Sequence, residues 1–336
     1  MNDLRIGVLG VGRIGRMHAE LIERQVEGAT LAAVYDLNRK AADEVGAELD
    51  AVVAGSTQEL IEAAYVDAVA ICSSTDTHID LLVDAARAAK PVFIEKPLSL
   101  DLVEVDRGLT AVEEAGISVQ VGFNRRFDLS HRAVRDAVQS GDIGDVHLVR
   151  ITSRDPAPPP ISYIEVSGGI FLDMTIHDFD MARFVTGSEV VEVFATGGVM
   201  VDEAIGEAGD LDTAVVVLTH EDGAVTTIDN SRQAVYGYDQ RVEAFGSGGL
   251  AASDNPGSNT TVVRDASGSR GATIPYFFLE RYIPSYLAEW SGFVSMVRDG
   301  APSPVTMNDG RAPLVIGLAA WKSVRESRPV PISEIG

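Results

Sequence analysis

Leu4 to Leu9 is a short apolar run rich in branched residues, followed at once by Gly10-Val11-Gly12-Arg13-Ile14-Gly15 and a helix-like segment from Ile14 to Glu23. Few patterns narrow the folding options as much. Strand, G-x-G-x-x-G turn and helix in that order are the opening of a dinucleotide-binding α/β sheet. Gly10 permits the tight turn, Gly12 lets a pyrophosphate approach the backbone, and Gly15 lets helix and strand pack closely. The start of the helix then favours the phosphate charge. A lone glycine pattern is a weak signal, but here a second requirement is met. Leu31 to Tyr35 reads as the next strand and ends at Asp36, 21 residues beyond Gly15. An acid there accepts hydrogen bonds from the adenosine ribose and repels a 2′-phosphate, which points to NAD over NADP. Arg39 and Lys40 lie close behind and leave use of both cofactors open.

The alternation continues. Ala51 to Ala54, Asp67 to Cys72, Pro91 to Glu95 and Ile117 to Gly122 read as strands. Thr57 to Ala64, Thr77 to Lys90 and Asp101 to Gly116 read as helices between them. Repeated strand–helix units imply a doubly wound parallel sheet, whose ligands sit at the carboxyl ends of the strands. Three such ends carry polar residues: Ser73 to His78, Glu95-Lys96-Pro97, and Asn124-Arg125-Arg126. Lys96 is either an ordinary loop lysine or a group beside the cofactor, and Pro97 is a candidate for a cis bond.

The pattern changes near Phe123, so the chain is expected to divide at 1–122 and 123–336. After a helix over Asp128 to Gln139, strand-like runs cover Val146 to Ser153, Val190 to Met200, Thr213 to His220, Ala224 to Ser231 and Arg241 to Phe245. Glu221-Asp222-Gly223 is a hairpin turn between two of them. Asp202 to Asp210 reads as an acidic loop, and Leu279 to Arg298 and Arg311 to Glu326 as closing helices. Together these imply an α+β domain with a mostly antiparallel sheet.

Ser167 to Phe184 stands out within that domain. Read as one helix, it puts Asp173 and His177 together at i, i+4, with Asp180 three further on. Such a stripe is either an exposed polar face or an acid/base site, since histidine titrates near neutral pH.

Composition limits the partners. A net charge of −23 disfavours nucleic acid and anionic membranes. The single cysteine, Cys72, excludes an internal disulfide and a cysteine-rich zinc site, and no metal is expected. No apolar run approaches the ~20 residues of a membrane span, and the first residues lack the layout of a signal peptide. A cytoplasmic setting is the simplest expectation.

With these residues in view, the sequence resembles the glucose–fructose oxidoreductase/inositol dehydrogenase/rhizopine-catabolism (Gfo/Idh/MocA) family along essentially the whole chain. Gly10 to Gly15, Thr75 with His78, Glu95-Lys96-Pro97 and the Asp173/His177 spacing carry the resemblance. Ser153-Arg154-Asp155-Pro156, the run from Asp173 to Asp180, and Tyr236 to Arg241 look like inositol 2-dehydrogenases in particular. The resemblance implies a Rossmann domain followed by an α+β domain with a large, open-faced sheet, assembled as a homotetramer. It implies that NAD meets Gly10, Gly12, Arg13, Ile14, Gly15, Asp36, Ser73, Thr75, His78, Glu95 and Lys96. Lys96, Asp173 and His177 would be the catalytic group, with Arg126, Asp155, Asp180 and Tyr236 also at the polyol. The implied reaction is NAD-dependent oxidation of a cyclic polyol, myo-inositol to 2-keto-myo-inositol. His177 would act as base and Lys96 would donate to the reacting oxygen, with Asp173 orienting both. Another polyol, sugar or dihydrodiol dehydrogenase of the family is the alternative, and a non-catalytic dinucleotide sensor a further one. Some inositol dehydrogenases carry His and Asn where this chain has Ser153 and Asp155, which leaves the preferred isomer open.

Overall fold

In the computed structural model, which describes residues 3–336, β1 (Leu4–Leu9) is buried along nearly its whole length, as a central parallel strand must be. The next elements are α1 (Arg13–Arg24), β2 (Ala29–Tyr35), α2 (Arg39–Leu49), β3 (Val52–Val53) and α3 (Thr57–Glu62). They are followed by β4 (Ala68–Ile71), α4 (His78–Arg87), β5 (Val92–Glu95), α5 (Leu102–Ala115) and β6 (Val119–Gly122). The six strands pair in parallel in the order β3-β2-β1-β4-β5-β6. Order reverses between β1 and β4, and the crevice at that switch point is where such sheets bind dinucleotides. Helix ends follow local chemistry. The Asp101 side chain accepts from Val103 N to start α5, and Gly116, at φ +62°, stops it.

The chain forms two compact units. The first runs to Phe123 and takes back Tyr286–Ala312; the second holds Asn124–Ser285 and Pro313–Gly336. The expected division gave everything after 122 to the second domain, so residues 286–312 are a correction. Their packing explains it. Trp290 stacks on Phe93 with ring centroids 4.6 Å apart. Val121 N donates to Val305 O at 3.0 Å, which covers the open edge of β6.

The second unit begins with α6 (Leu129–Gln139), β7 (Val146–Arg154), α7 (Ile161–Ser167), α8 (Ile170–Asp173) and α9 (Ile176–Thr186). Then come β8 (Val190–Gly198), α10 (Glu203–Glu207), β9 (Thr213–His220), β10 (Val225–Ser231), β11 (Asp239–Gly246) and β12 (Gly249–Ser253). A small exposed hairpin, β13 (Val262–Asp265) with β14 (Gly268–Gly271), precedes α11 (Phe278–Asp299), α12 (Met307–Glu326) and β15 (Val330–Pro331). The main sheet runs β12-β11-β7-β10-β9-β8-β15 and is antiparallel apart from the β7–β10 pair. One face carries the core. Val149, Ile151, Val193, Val216, Leu218, Ile228 and Val242 meet Phe179, Met181 and Val185 of α9 and Ile316 and Ala320 of α12.

Two local expectations change. The acidic stretch Asp202 to Asp210 contains α10, capped by the Asp202 side chain on Ala204 N. The segment read as one helix from 167 to 184 is two, α8 and α9, broken at Met174 and Thr175. Thr175 explains the break: its N–H donates to Ile170 O at 2.9 Å, one residue beyond the α-helical partner. Its hydroxyl lies 2.6 Å from Asn230 Oδ1.

Candidate functional site

In the first unit the glycine turn has the conformation its sequence calls for. Gly10 sits at φ +87°, and a Cβ there would stand 2.5 Å from Ser73 Cα. A Cβ on Gly15 would strike Gly10 O. Gly12 is different: a Cβ on it meets no described atom within 4 Å. That open space lies at the start of α1, where no side chain caps the helix and no acid occupies the first turn. Uncapped N–H groups facing open space suit a pyrophosphate. Asp36 Oδ2 accepts from Val11 N at 2.7 Å and Oδ1 from Asn38 N at 2.8 Å. The acid is thus fixed beside the turn, with lone pairs left for ribose hydroxyls. Arg39 is drawn away onto Asp43 Oδ1 at 2.8 Å and Ala54 O at 3.2 Å, and Lys40 pairs with Glu44 at 3.8 Å. Neither is arranged to clamp a 2′-phosphate.

The other cofactor-side residues follow β4 and β5. Ser73 Oγ and Thr77 Oγ1 are 2.7 Å apart, and Thr75 opens the short turn between them and α4. His78 is buried, its Nδ1 2.9 Å from Pro97 O and its Nε2 3.1 Å from Ser73 O. Burial pushes its pKa down. It joins the two strand-end loops from behind and does not face open space. The Lys96–Pro97 bond is cis. Lys96 N donates to Glu95 Oε2 at 3.2 Å.

In the second unit the inner sheet face changes from apolar to polar at one end. Val242, Ile151 and Ile228 form one row across β11, β7 and β10, and one pleat further Gln240, Ser153 and Asn230 form the next. Ser153 Oγ donates to Gln240 Oε1 at 2.9 Å and accepts from Arg125 Nη1 at 3.2 Å. Arg125 also pairs with Asp178 at 2.7 Å, and Asp178 accepts from Asn230 Nδ2 at 2.8 Å. Ser153 is fully buried beneath this net. Asp155 and Arg232 come two residues beyond Ser153 and Asn230, hence on the same face one pleat outward. Asp155 is half-buried and makes no side-chain hydrogen bond among the described residues. Burial, then the charge of Asp173, pushes its carboxyl up to about 6.

Asp173 and His177 are the only partly exposed residues between Ile170 and Ala182; every other position is buried. Asp173 is held tightly. Its Oδ2 accepts from Arg232 Nη1 at 3.1 Å and its Oδ1 from Tyr163 OH at 2.9 Å. Arg232 is fully buried and also pairs with Asp210 at 3.1 Å. Asp210 Oδ1 in turn accepts from Ile170 N at 2.9 Å, the first residue of α8. Gly169 allows this approach: it sits at φ +78°, and a Cβ would stand 2.7 Å from Asp210 Oδ1.

Other expected polyol residues are engaged with protein. Asp180 accepts from Arg126 Nη2 at 2.6 Å and from Nε at 2.8 Å. Both are almost wholly buried, so they face each other across a core position. Tyr236 OH donates to Asp239 Oδ2 at 2.6 Å and accepts from Arg154 at 3.1 Å. Sequence reasoning missed Arg232, Asp210 and Tyr163. Only the odd placement of an arginine directly after a strand marked the first of them.

Comparison with known proteins bears on these features. Residues 4–123 match the oxidoreductase family with an NAD-binding Rossmann fold, and residues 131–252 match the GFO/IDH/MocA C-terminal domain. The chain is 52% identical to myo-inositol 2-dehydrogenase of Thermotoga maritima, over 99% of both chains. It is 45% identical to inositol 2-dehydrogenase of Rhizobium meliloti, covering 98% of this chain and 99% of that one. Its structure is similar to that of scyllo-inositol dehydrogenase from Lactobacillus casei with bound NAD(H) and scyllo-inositol. The TM-score is 0.93 at 30% identity, covering 99% of this chain and all of that one.

Proposed function

The chain belongs to the GFO/IDH/MocA family as an NAD-dependent dehydrogenase acting on CH–OH groups, and we propose that it oxidises myo-inositol to 2-keto-myo-inositol. The observation that carries this reading is the isolation of Asp173 and His177 as the two accessible positions in a buried stretch. Inositol-specific names on relatives that align end to end support the substrate class.

Oxidising a secondary alcohol requires that the hydroxyl proton leave and that the developing alkoxide be steadied. Bound NAD supplies the hydride acceptor, held at Gly10 to Gly15 and Asp36. His177 takes the hydroxyl proton. Lys96 donates a hydrogen bond to the same oxygen. Asp173, kept an acceptor by Arg232 and Tyr163, sets the orientation of both. Asp155 offers a carboxylate to the remaining hydroxyls, which suits a neutral polyol. A phosphorylated sugar would meet repulsion there.

The outer sheet face exposes Val191, Phe194, Val215, Phe245 and Leu250. Such a surface is commonly covered by a partner, and a homotetramer would cover it. A monomeric mass at micromolar concentration would refute that assembly. No helix among the described residues is long and apolar enough to cross a membrane, and a lone buried thiol suits a reducing, cytoplasmic setting.

A panel of inositol isomers and aldoses, followed by NADH appearance, tests the substrate. The highest kcat/KM is expected for myo-inositol. A tenfold preference for an aldose or for scyllo-inositol would replace the assignment.

A further inference from the structure

Behind β5 the first unit holds polar groups that the reaction above does not use. Trp290 Nε1 donates to His18 Nδ1 at 2.9 Å, and His18 Nε2 lies 2.8 Å from Glu95 Oε1. An indole N–H can only donate. His18 Nδ1 is therefore the acceptor, and Nε2 carries the ring proton and donates it to Glu95. His18 is fully buried, with Phe93, Tyr286 and Trp290 set edge-on around it at 5.1, 5.4 and 5.6 Å. That packing keeps the ring from turning over.

The second Glu95 oxygen accepts from Lys96 N. A Cβ on Gly122 would stand 3.1 Å from the carboxylate, so the absence of a side chain there leaves it room. Three titratable groups that feel its charge are held neutral. Glu289 is fully buried with neither carboxyl oxygen hydrogen-bonded. Burial, then the charge of Glu95, keeps its proton on. The Cys72 thiol is kept protonated by the same two causes, with Glu289 adding to them. Burial holds the His78 ring uncharged.

We infer that Trp290 and His18 clamp the Glu95 carboxylate at the end of β5, and that this fixed charge makes the protein prefer the oxidised cofactor. β5 lies beyond the β1/β4 switch point, in the half of the sheet that receives the second nucleotide. A carboxylate there attracts the nicotinamide cation of NAD⁺ and has no such attraction for the neutral ring of NADH. His18 is a positioning residue: it acts through Glu95. None of this depends on which alcohol is oxidised.

The test is calorimetric titration of the full-length protein with NAD⁺ and, separately, NADH, with no alcohol present. His18→Phe should weaken NAD⁺ binding about tenfold, the scale of one hydrogen bond to a charged group, and NADH binding less than about threefold. His18→Gln restores an N–H donor and should recover most of the NAD⁺ affinity. Glu95→Gln keeps the shape and removes the charge, and should show the same selective loss. It decides the matter should the His18→Phe chain fail to fold. Equal weakening of both cofactor forms, or unchanged NAD⁺ binding in folded His18→Phe or Glu95→Gln, overturns the proposal.

Discussion

The two units build their polar sites from different material. The cradle of the first is main chain: three glycines, an uncapped helix start and one acid that accepts two backbone N–H groups. The polar end of the second is side chain on side chain. Arg125 with Asp178, Arg126 with Asp180, and Arg232 with Asp173 and Asp210 are all largely buried pairs. The difference matters energetically. A glycine turn depends on what is absent, and at Gly12, where a Cβ meets no described atom, adding a methyl group can spoil binding and leave the fold alone. A buried ion pair depends on both members, and removing one strands the other charge.

The sharpest break between the two is kinetic. His177→Ala should cut turnover by ~10²–10⁴-fold, the range of a lost general base, while NAD affinity stays near wild type. Lys96→Ala should cost a comparable factor, and the double variant should fall well short of the product, because groups acting as a unit are not additive. Near-normal turnover of His177→Ala on its best polyol would reduce that helix to a polar surface.

Stability gives the next contrast. Arg126→Met removes the guanidinium that Asp180 accepts from in the core and should lower the unfolding free energy by ~3–5 kcal/mol in urea titration. A loss below about 1 kcal/mol would show that the pair is not a structural anchor. Gly12→Ala should do the reverse. Its φ of −62° suits alanine and the Cβ meets no described atom. Stability should hold within about 0.5 kcal/mol, yet NAD affinity should fall by on the order of tenfold as the methyl meets the pyrophosphate. Unchanged NAD binding would move the pyrophosphate elsewhere.

The smallest effect is a pH limb. The Asp155 carboxyl is pushed up to about 6, so it is a carboxylate above that pH and an acid below it. As pH falls through 6 it loses acceptor capacity, and the KM for the polyol should rise about two- to fivefold. In Asp155→Asn that limb should vanish. A KM profile that is the same in both proteins would exclude Asp155 from the hydroxyl contacts.

The first unit was legible because its determinants are near one another in sequence. Val11 and Asp36, whose hydrogen bond fixes the acid beside the turn, are only 25 residues apart. The second unit was legible in outline only. Asp173 and His177 were visible as a spacing, and the structure leaves these two accessible. Asp180, three residues beyond His177 on the same polar stripe, looked equivalent and is buried against Arg126, because α9 turns that position into the core. Asp155 was expected at the polyol, and Ser153 only marked a position where some inositol dehydrogenases differ. The pleat puts Ser153 under Arg125 and Gln240 and leaves only Asp155 open.

The amino-acid sequence determined by itself what arises within strand–turn–helix units: the glycine conformations, the parallel run of the first sheet and the acid that stands at the end of β2. Tertiary structure alone decided which charges are buried and by whom. Arg232 reaches Asp173 across 59 residues, Arg125 reaches Asp178 across 53, and Trp290 reaches His18 across 272. Such partners leave no periodicity and no motif. They meet only because apolar rows of the core bring distant strands and helices into register, and the polar residues at the ends of those rows must then satisfy one another.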